Sequence, residues 1–406
     1  MRLLIISLTH TNKFSPRAIQ LSKVVNALQS QGIYTTIITI NNKELKPLDP
    51  EMGKVIRLTY NPGIFEKYIS KIHPFFGKSL ENYFPYTEQC IRQCVEAGES
   101  LLREKKYDGI ISSSNPLSSH LAGLILSKKT GLPWVASFSD PRPVSILPFP
   151  YRKNGNIFKS LLEKAKVEKV LTQCDGVHMP SSYGITMTEE RLDVPIRAKS
   201  HVIPHVGGNG INSDNNNFAG WLVHTGKLKR RLSDEFLEAV KEANRQIPGQ
   251  FKGLLCVGGV DKRLRKKIRK NGMESMVRIM DEVPPAEALS IMGASGALLV
   301  MESQMEFSPF LPSKFADYAH SGKPILAITP KVSAVRDYLE KFGGGIAVDH
   351  NRKQIREALI SIFSDRDRKK ELARAGRQNL APEFSALTIA RQYKVMIEES
   401  AKEIVT

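Results

Sequence analysis

Lys227, Lys229, Arg230 and Arg231 crowd five positions between an apolar run, WLVHTG, and a helical pattern that begins near Ser233. Four cations on one strand-to-helix loop supply the charge-assisted donors that a diphosphate needs. A second stretch, SPFLPSKFADYAHSGKPILAI from Ser308 to Ile328, reads as a Pro-marked loop, a short helix and a buried strand. Pro312 fits the first helical turn and Gly322 the left-handed end. Phe315, Tyr318 and Ala319 should pack inward, with Lys314, Asp317 and Ser321 facing elsewhere. A helix N-terminus offers free N–H groups and a partial positive charge, so it can hold a phosphate, and Lys314 adds a full charge. Asp317, one turn deeper, can accept hydrogen bonds from ribose hydroxyls. As plain scaffold, Lys314 and Asp317 would be an i,i+3 surface pair.

The first half carries three more polar stretches, each after a strand pattern. SLTHTNKFSPRA offers Thr9, Lys13, Ser15 and Arg17; GIISSSNPLSSH offers Ser112, Ser113, Ser114, Asn115, Ser118 and His120; FSDPRP places Asp140 and Arg142 at a strand tip. Three polar strand ends facing one way make a site wall. The competing reading is local: Ser and Asn before a helix cap it, and Asp-Pro makes a turn.

The elements that must position these residues alternate. Apolar runs LLIISL, YTTIITI, GIISSS, PWVASF, GVHM and HVIP are separated by helical patterns such as PRAIQLSKVVNALQSQG, where Ile19, Val24, Ala27 and Leu28 share a face. GGNGINSDNNN, residues 207–217, is almost all small or polar turn formers and reads as a linker. The pattern then restarts with WLVHTG, GLLCVGG, ALLVME, KPILAIT and GGIAVD. Apolar strands alternating with helices predict parallel sheets covered on both faces. The expected fold is therefore α/β: two doubly wound Rossmann-like domains facing a central cleft, with ligands at strand C-terminal ends. Residues 1–206 form the first domain, 207–217 the hinge and 218–384 the second domain, and a helix in 385–406 packs back toward the first.

Composition narrows the function classes. The chain has 406 residues, 41% hydrophobic and 25% charged, which is a soluble globular balance. No run approaches the roughly 18 apolar residues of a membrane span. The four cysteines lack zinc spacing, Cys90 and Cys94 suit one buried helix face, and a reducing cytoplasmic location is expected. Asp365-Arg366-Asp367 reads as a helix boundary, not a metal site. Net charge is +18, with eight Lys/Arg between Lys252 and Lys270 against Asp261 alone. Such a field suits phosphorylated small molecules, an anionic membrane or nucleic acid. With 7% aromatics and no nucleic-acid-binding signature, a nucleic-acid partner is the weaker reading. KIHPFFGKSLENYFPY, residues 71–86, mixes bases with aromatics and suits a peripheral contact with an anionic membrane at the inner leaflet.

Taken in order, these segments resemble retaining glycosyltransferases of the GT-B fold, family 4 in particular, of the bacterial surface-polysaccharide type. The Gly-Lys loop at 226–231, PSKFADYAHSGKPIL at 312–326, NPLSSHLAGLILSKKTGLPWVASFSDP at 115–141 and VIPH at 202–205 carry the resemblance, which spans nearly the whole chain. It implies transfer of a sugar from a nucleoside-diphosphate sugar to a saccharide or lipid-linked saccharide. Lys227 and Arg231 would hold the donor diphosphate, the amides of Phe310, Leu311 and Ser313 the distal phosphate with Lys314, and Asp317 the ribose. The family's Glu-x7-Glu motif has its second acid at Asp317, but its first falls at Pro309; Glu302 or Glu306 would have to substitute. His120 and Asp140 would be the catalytic pair, and Ser15, Arg17 and Asn115 would receive the acceptor. No metal or other cofactor is implied. An epimerase-like or non-catalytic protein of the same architecture is the alternative.

Overall fold

A computed structural model describes residues 1–8, 16–40, 53–59, 87–152, 157–208, 217–228 and 231–402. Thr9, Lys13, Ser15, residues 71–86, Lys229 and Arg230 lie outside the described residues, as does most of the expected linker. The chain divides into two compact units. Unit 1 comprises residues 1–147, 151–203 and 389–406; unit 2 comprises 148–150 and 204–388.

Unit 1 is built on strands β1 (Arg2–Ser7), β2 (Tyr34–Ile40), β3 (Gly53–Leu58), β4 (Gly109–Ser113), β5 (Trp134–Ser137), β6 (Gly176–Met179) and β7 (Ser200–Val202). They form one sheet in the order β3-β2-β1-β4-β5-β6-β7, every pair parallel. Helices α1 (Pro16–Ser30), α2 (Glu88–Glu104), α3 (Ser118–Thr130), α4 (Ile157–Gln173) and α5 (Ser182–Leu192) connect the strands. Strands buried on both faces need apolar side chains on both, which is why Leu3, Leu4, Ile5 and Ile6 run consecutively at 2% exposure or less.

Unit 2 repeats the scheme with β8 (Phe218–Thr225), β9 (Gly253–Val257), β10 (Val277–Met280), β11 (Ser295–Met301), β13 (Ile325–Ile328) and β15 (Gly345–Val348), ordered β10-β9-β8-β11-β13-β15 and again all parallel. A two-stranded ladder of β12 (Phe307–Ser308) and β14 (Val332–Ser333) stands apart. Its helices are α6 (Asp234–Gln246), α7 (Lys262–Lys270), α8 (Pro285–Gly293), α9 (Ser313–His320), α10 (Ala334–Phe342), α11 (Arg352–Ser364) and α12 (Arg366–Ala375). The last helix, α13 (Ala386–Lys402), joins unit 1 from Ile389 onward, with Ile397 lying against Gly109 of β4.

Each sheet has one place where the chain reverses its direction of growth, between β1 and β4 in unit 1 and between β8 and β11 in unit 2. The loops leaving such neighbours diverge to opposite faces and open a crevice at the strand C-terminal ends. The doubly wound α/β fold expected from the alternation is the one observed.

Three local readings need correction. Helix α1 buries Val25, Ala27 and Leu28, with Ile19 and Val24 only half-buried, so its inner face is rotated from the expected one. Pro312 precedes the first turn of α9 as its cap residue. Ser321 is buried and donates to the Tyr318 carbonyl at 2.6 Å, closing the helix ahead of Gly322. Asp365 caps α12 by accepting from the amides of Asp367 and Arg368, the boundary role read for that acidic pair. Helix α7 buries only Leu264 and Ile268 and leaves its cations as a solvated face.

Candidate functional site

In unit 2 the geometry centres on the end of β8. His224 is fully buried in that strand, and its Nδ1 lies 2.9 Å from the Leu299 carbonyl of β11. A carbonyl only accepts, so Nδ1 carries the proton and Nε2 is left as an acceptor. Lys314, one residue into α9, fills it: Nζ lies 3.1 Å from His224 Nε2 and also donates to the Thr225 carbonyl. Tyr318, one turn further along the same face, accepts from the Thr225 amide at 2.9 Å and meets its hydroxyl at 3.1 Å. Helix α9 is thus held with its N-terminus at the crevice between β8 and β11. Lys314 does not face away from the core, as the sequence suggested; it turns inward onto β8.

Arg231 reaches the same crevice. Its guanidinium donates to the carbonyls of Lys227 at 2.7 Å, Met301 at 3.0 Å and Leu228 at 3.2 Å, bridging the loop after β8 to the end of β11. Burial and the Arg231 charge push the Lys314 pKa down to about 7, with Asp317 and Cys256 pulling the other way. Burial, Lys314 and Arg231 hold His224 neutral, with its pKa well below the ordinary value. The expected full charge on Lys314 is therefore present only in part near neutral pH. Two cationic side chains held together, with Asp317 acting on Lys314 and the buried Glu302 facing Arg231, make a site whose cations are favoured by an entering anion.

Gly226 makes the close approach workable. Its φ is +91°, and a Cβ there would stand 2.9 Å from Lys314 Nζ. Gly226→Ala should therefore displace the ammonium and strain the turn, costing about 1–2 kcal/mol of stability and roughly tenfold in anion affinity. Denaturant unfolding and nucleotide titration check this; unchanged affinity would remove Lys314 from the site.

Lys227 is exposed and lies 3.9 Å from Glu282. Leu311 is buried, and its carbonyl lies 3.1 Å from His205 Nε2. The Phe310 amide leans on Ser308 Oγ at 3.4 Å, so it is partly committed already. Ser313 opens α9, and Asp317 is half-buried on its next turn. Glu302 is not available to a ligand. It is buried, and its two oxygens accept from Ser308 and Ser333, each at 2.5 Å. Burial raises its pKa against the pull of those hydroxyls and of Arg231 and Arg336. Glu306 is exposed.

In unit 1 the crevice between β1 and β4 collects a second cluster. His120, on the first turn of α3, is fully buried, stacked on Phe138 with ring centroids 4.3 Å apart. Its Nδ1 lies 2.7 Å from Ser112 Oγ, which also accepts from Trp134 Nε1 at 2.7 Å. The approach of α3 depends on Gly123, where a Cβ would meet Trp134 Nε1 at 2.5 Å. His120 Nε2 is buried with no hydrogen-bond partner among the described residues. Burial, with Arg17 and Arg142 nearby, drives its pKa down to about 3. A histidine so depressed stays neutral at physiological pH and can donate from Nε2, but it cannot carry a proton through a reaction near neutrality.

Asp140 follows β5 and is open to solvent. Protein crowding around its carboxyl raises its pKa, opposed by Arg17 and Arg142. Arg142 is itself paired with Glu163 of α4. The structure thus brings Arg17, His120, Asp140 and Arg142 into one electrostatic neighbourhood. Asn115 is half-buried in the β4–α3 connection, which contains two cis peptide bonds, Ser114–Asn115 and Asn115–Pro116.

His224, Thr225 and Tyr318 were missed from the sequence as parts of the site. One signal was present: a histidine inside the apolar run WLVHT must find polar partners if the strand is buried. Among the described residues, no cluster of three or more His, Cys, Asp or Glu is placed to hold a metal ion.

No family model matches the sequence, and no curated protein matches it. Solved structures do match in fold. Sucrose-phosphate synthase from Thermosynechococcus elongatus superposes with a TM-score of 0.68 at 17% identity, covering 98% of each chain. HepE of Anabaena in complex with UDP gives 0.68 at 14%, covering 98% of this chain and 100% of that one. A glycosyltransferase from Rickettsia africae gives 0.66 at 15%, covering 100% of this chain and 98% of that one. At such identities the likeness shows the fold, two Rossmann-like domains of the GT-B type.

Proposed function

We propose that this chain is a glycosyltransferase that moves a sugar, with retention, from a nucleoside-diphosphate sugar to a saccharide or lipid-linked saccharide in bacterial surface-polysaccharide synthesis. The observation that carries the reading is the anion seat at the end of β8, where Lys314, Arg231 and the N-terminus of α9 converge beside Gly226. Fold likeness to a UDP-bound protein and to other glycosyltransferases agrees with it. Membership of family 4 belongs to the proposal, resting on the order of the segments and not on overall identity.

In this reading the leaving nucleoside diphosphate takes up negative charge as the bond to the sugar stretches. Lys314, Arg231 and the α9 amides lower the energy of that charge where it forms. Because side chains supply the counter-charge, no divalent cation is expected to be needed. Unit 1 would take the acceptor, with neutral His120 as a hydrogen-bond donor and Asp140 as the group facing the acceptor hydroxyl. An epimerase on the same fold would be expected to surround the sugar phosphate with acids. Glu302, the buried carboxylate at this end of unit 2, is instead spent on Ser308 and Ser333.

Thermal shift with UDP, GDP, ADP and CMP, without metal, tests the reading. A ligand at about 100 times its Kd adds about 2.7 kcal/mol to the folded state. One diphosphate should raise the wild-type melting point, and Arg231→Ala should lower affinity by about 10–100-fold through loss of charge-assisted donors. If none of the four shifts the wild type, the donor site is refuted.

A further inference from the structure

Ser112 of β4, Trp134 at the start of β5 and His120 on the first turn of α3 are fully buried and linked in one chain of polar atoms. Trp134 Nε1 donates to Ser112 Oγ at 2.7 Å, and the same oxygen stands 2.7 Å from His120 Nδ1. Gly123, one turn on from His120, makes room for the chain: a Cβ there would come within 2.5 Å of Trp134 Nε1 and 3.1 Å of Ser112 Cβ. Ser119, beside His120, accepts from the Leu8 amide at 3.0 Å and ties this turn of α3 to the end of β1. Phe138 packs against the imidazole and fixes its plane.

The head of this chain gives it a direction. An indole N–H donates and never accepts, so Ser112 Oγ commits a lone pair to Trp134. The hydroxyl has one hydrogen and two acceptors in reach, His120 Nδ1 at 2.7 Å and the Val135 carbonyl at 3.5 Å. The longer distance is at the outer edge of a hydrogen bond, so the hydrogen goes to Nδ1. Nδ1 is then an acceptor, and the neutral imidazole carries its own hydrogen on Nε2. The opposite tautomer would make Oγ accept twice and leave its hydrogen to the distant carbonyl. Burial, with Arg17 and Arg142 nearby, keeps the ring neutral down to about pH 3. Nε2 is buried with no partner among the described residues, and a buried N–H is satisfied by an oxygen lone pair.

We propose that Trp134 and Ser112 are positioning residues that lock His120 as an Nε2–H donor for a hydroxyl oxygen of a bound saccharide. The proposal rests on the glycosyltransferase reading only for that hydroxyl; the tautomer is a property of unit 1 alone. A donor-only residue at the head sets the direction of the chain. A serine or tyrosine in place of Trp134 could also accept, and the chain could then run either way. The bond from Ser112 also holds the ring in one orientation, so the N–H is preorganised before a ligand arrives.

The test is nitrogen NMR of the full chain with labelled histidine and tryptophan, on wild type, Ser112→Ala and Trp134→Phe, with His120→Gln assigning the ring. Near neutral pH, wild-type His120 should show a protonated Nε2 and an unprotonated, hydrogen-bonded Nδ1. Ser112→Ala should move Nδ1 downfield, to the position of an imine nitrogen without a donor, and move the Trp134 indole proton upfield. Trp134→Phe keeps most of the volume and should move Nδ1 the same way by less, since each bond in a chain polarises the next. A protonated Nδ1 in wild type overturns the proposal, whether or not the variants fold. So does an Nδ1 that stays put in folded Ser112→Ala or Trp134→Phe. The glucose conjugate of whichever nucleotide raises the melting point should move the Nε2 proton downfield, and a proton that stays put removes the sugar hydroxyl. The Nε2–H form without any nucleotide shift would refute the donor site and leave the lock standing. A nucleotide shift with a protonated Nδ1 would do the reverse.

Discussion

Lys314→Met is expected to abolish nucleotide-induced stabilisation and, at the same time, to stabilise the ligand-free protein at neutral pH. The two effects share one cause. Lys314 sits beside Arg231 in a buried setting, and its pKa falls from 10.5 to about 7. Between those values the unfolded chain binds a proton that the folded chain does not. Stability therefore rises with pH from about 7 to 10.5, and below about 7 the cost of the buried charge is fully in force. Methionine removes that cost while keeping much of the volume, so a gain of roughly 1–3 kcal/mol is expected near pH 6–7, and the pH slope should vanish.

A bound diphosphate reverses the preference, because an anion beside the amine favours the ammonium form. Wild-type binding at about pH 8–9 should then take up as much as about one proton, visible as a dependence of the calorimetric enthalpy on buffer ionisation. The Met variant should show neither binding nor uptake. Retained nucleotide binding in Lys314→Met, or wild-type binding without proton uptake, would sink the anion seat. His224 does not supply an alternative proton, since it is held neutral through this range.

Glu302→Ala carries the second large effect, this time on stability. Its carboxylate joins the end of β11 to Ser308 of β12 and Ser333 of β14, and both serines are fully buried. Truncation strands two buried hydroxyls and leaves a void, at a cost of about 2–4 kcal/mol. For a cooperative unit of about 150–250 residues, the size of unit 2, that is a drop on the order of 5–15 °C in melting point. The loop from 303 to 312 leads into α9, so the nucleotide shift should weaken as well. Glu302→Gln keeps the shape and can still accept from one serine while donating to the other, and should stay within about 1–2 kcal/mol of wild type. The sign with pH is opposite to that of Lys314. The Glu302 pKa is raised from 4.5 by burial, so the folded chain binds more protons and stability falls as pH rises through the window above 4.5. A Glu302→Ala protein as stable as wild type would show that the bridge holds nothing.

The repeating strand–helix order, the doubly wound class and several capped helix ends were legible in the amino-acid pattern. Those follow from local rules: two-sided burial makes apolar strand runs, Ser233 caps α6 by accepting from the Phe236 amide at 3.1 Å, and Gly322 takes the positive φ that ends α9. The sequence also marked the strand ends where polar residues gather, since a cation-rich loop between a strand and a helix is visible as a pattern. What those residues face was set by the packing of the fold. Lys314 meets His224 across 90 positions of sequence, and Glu302 meets Ser333 across 31. Such partners are chosen by strand order and helix docking, which periodicity does not encode. Burial is set by the whole fold, and that is why the direction of Lys314 and the loss of Glu302 to its serines became legible only in three dimensions.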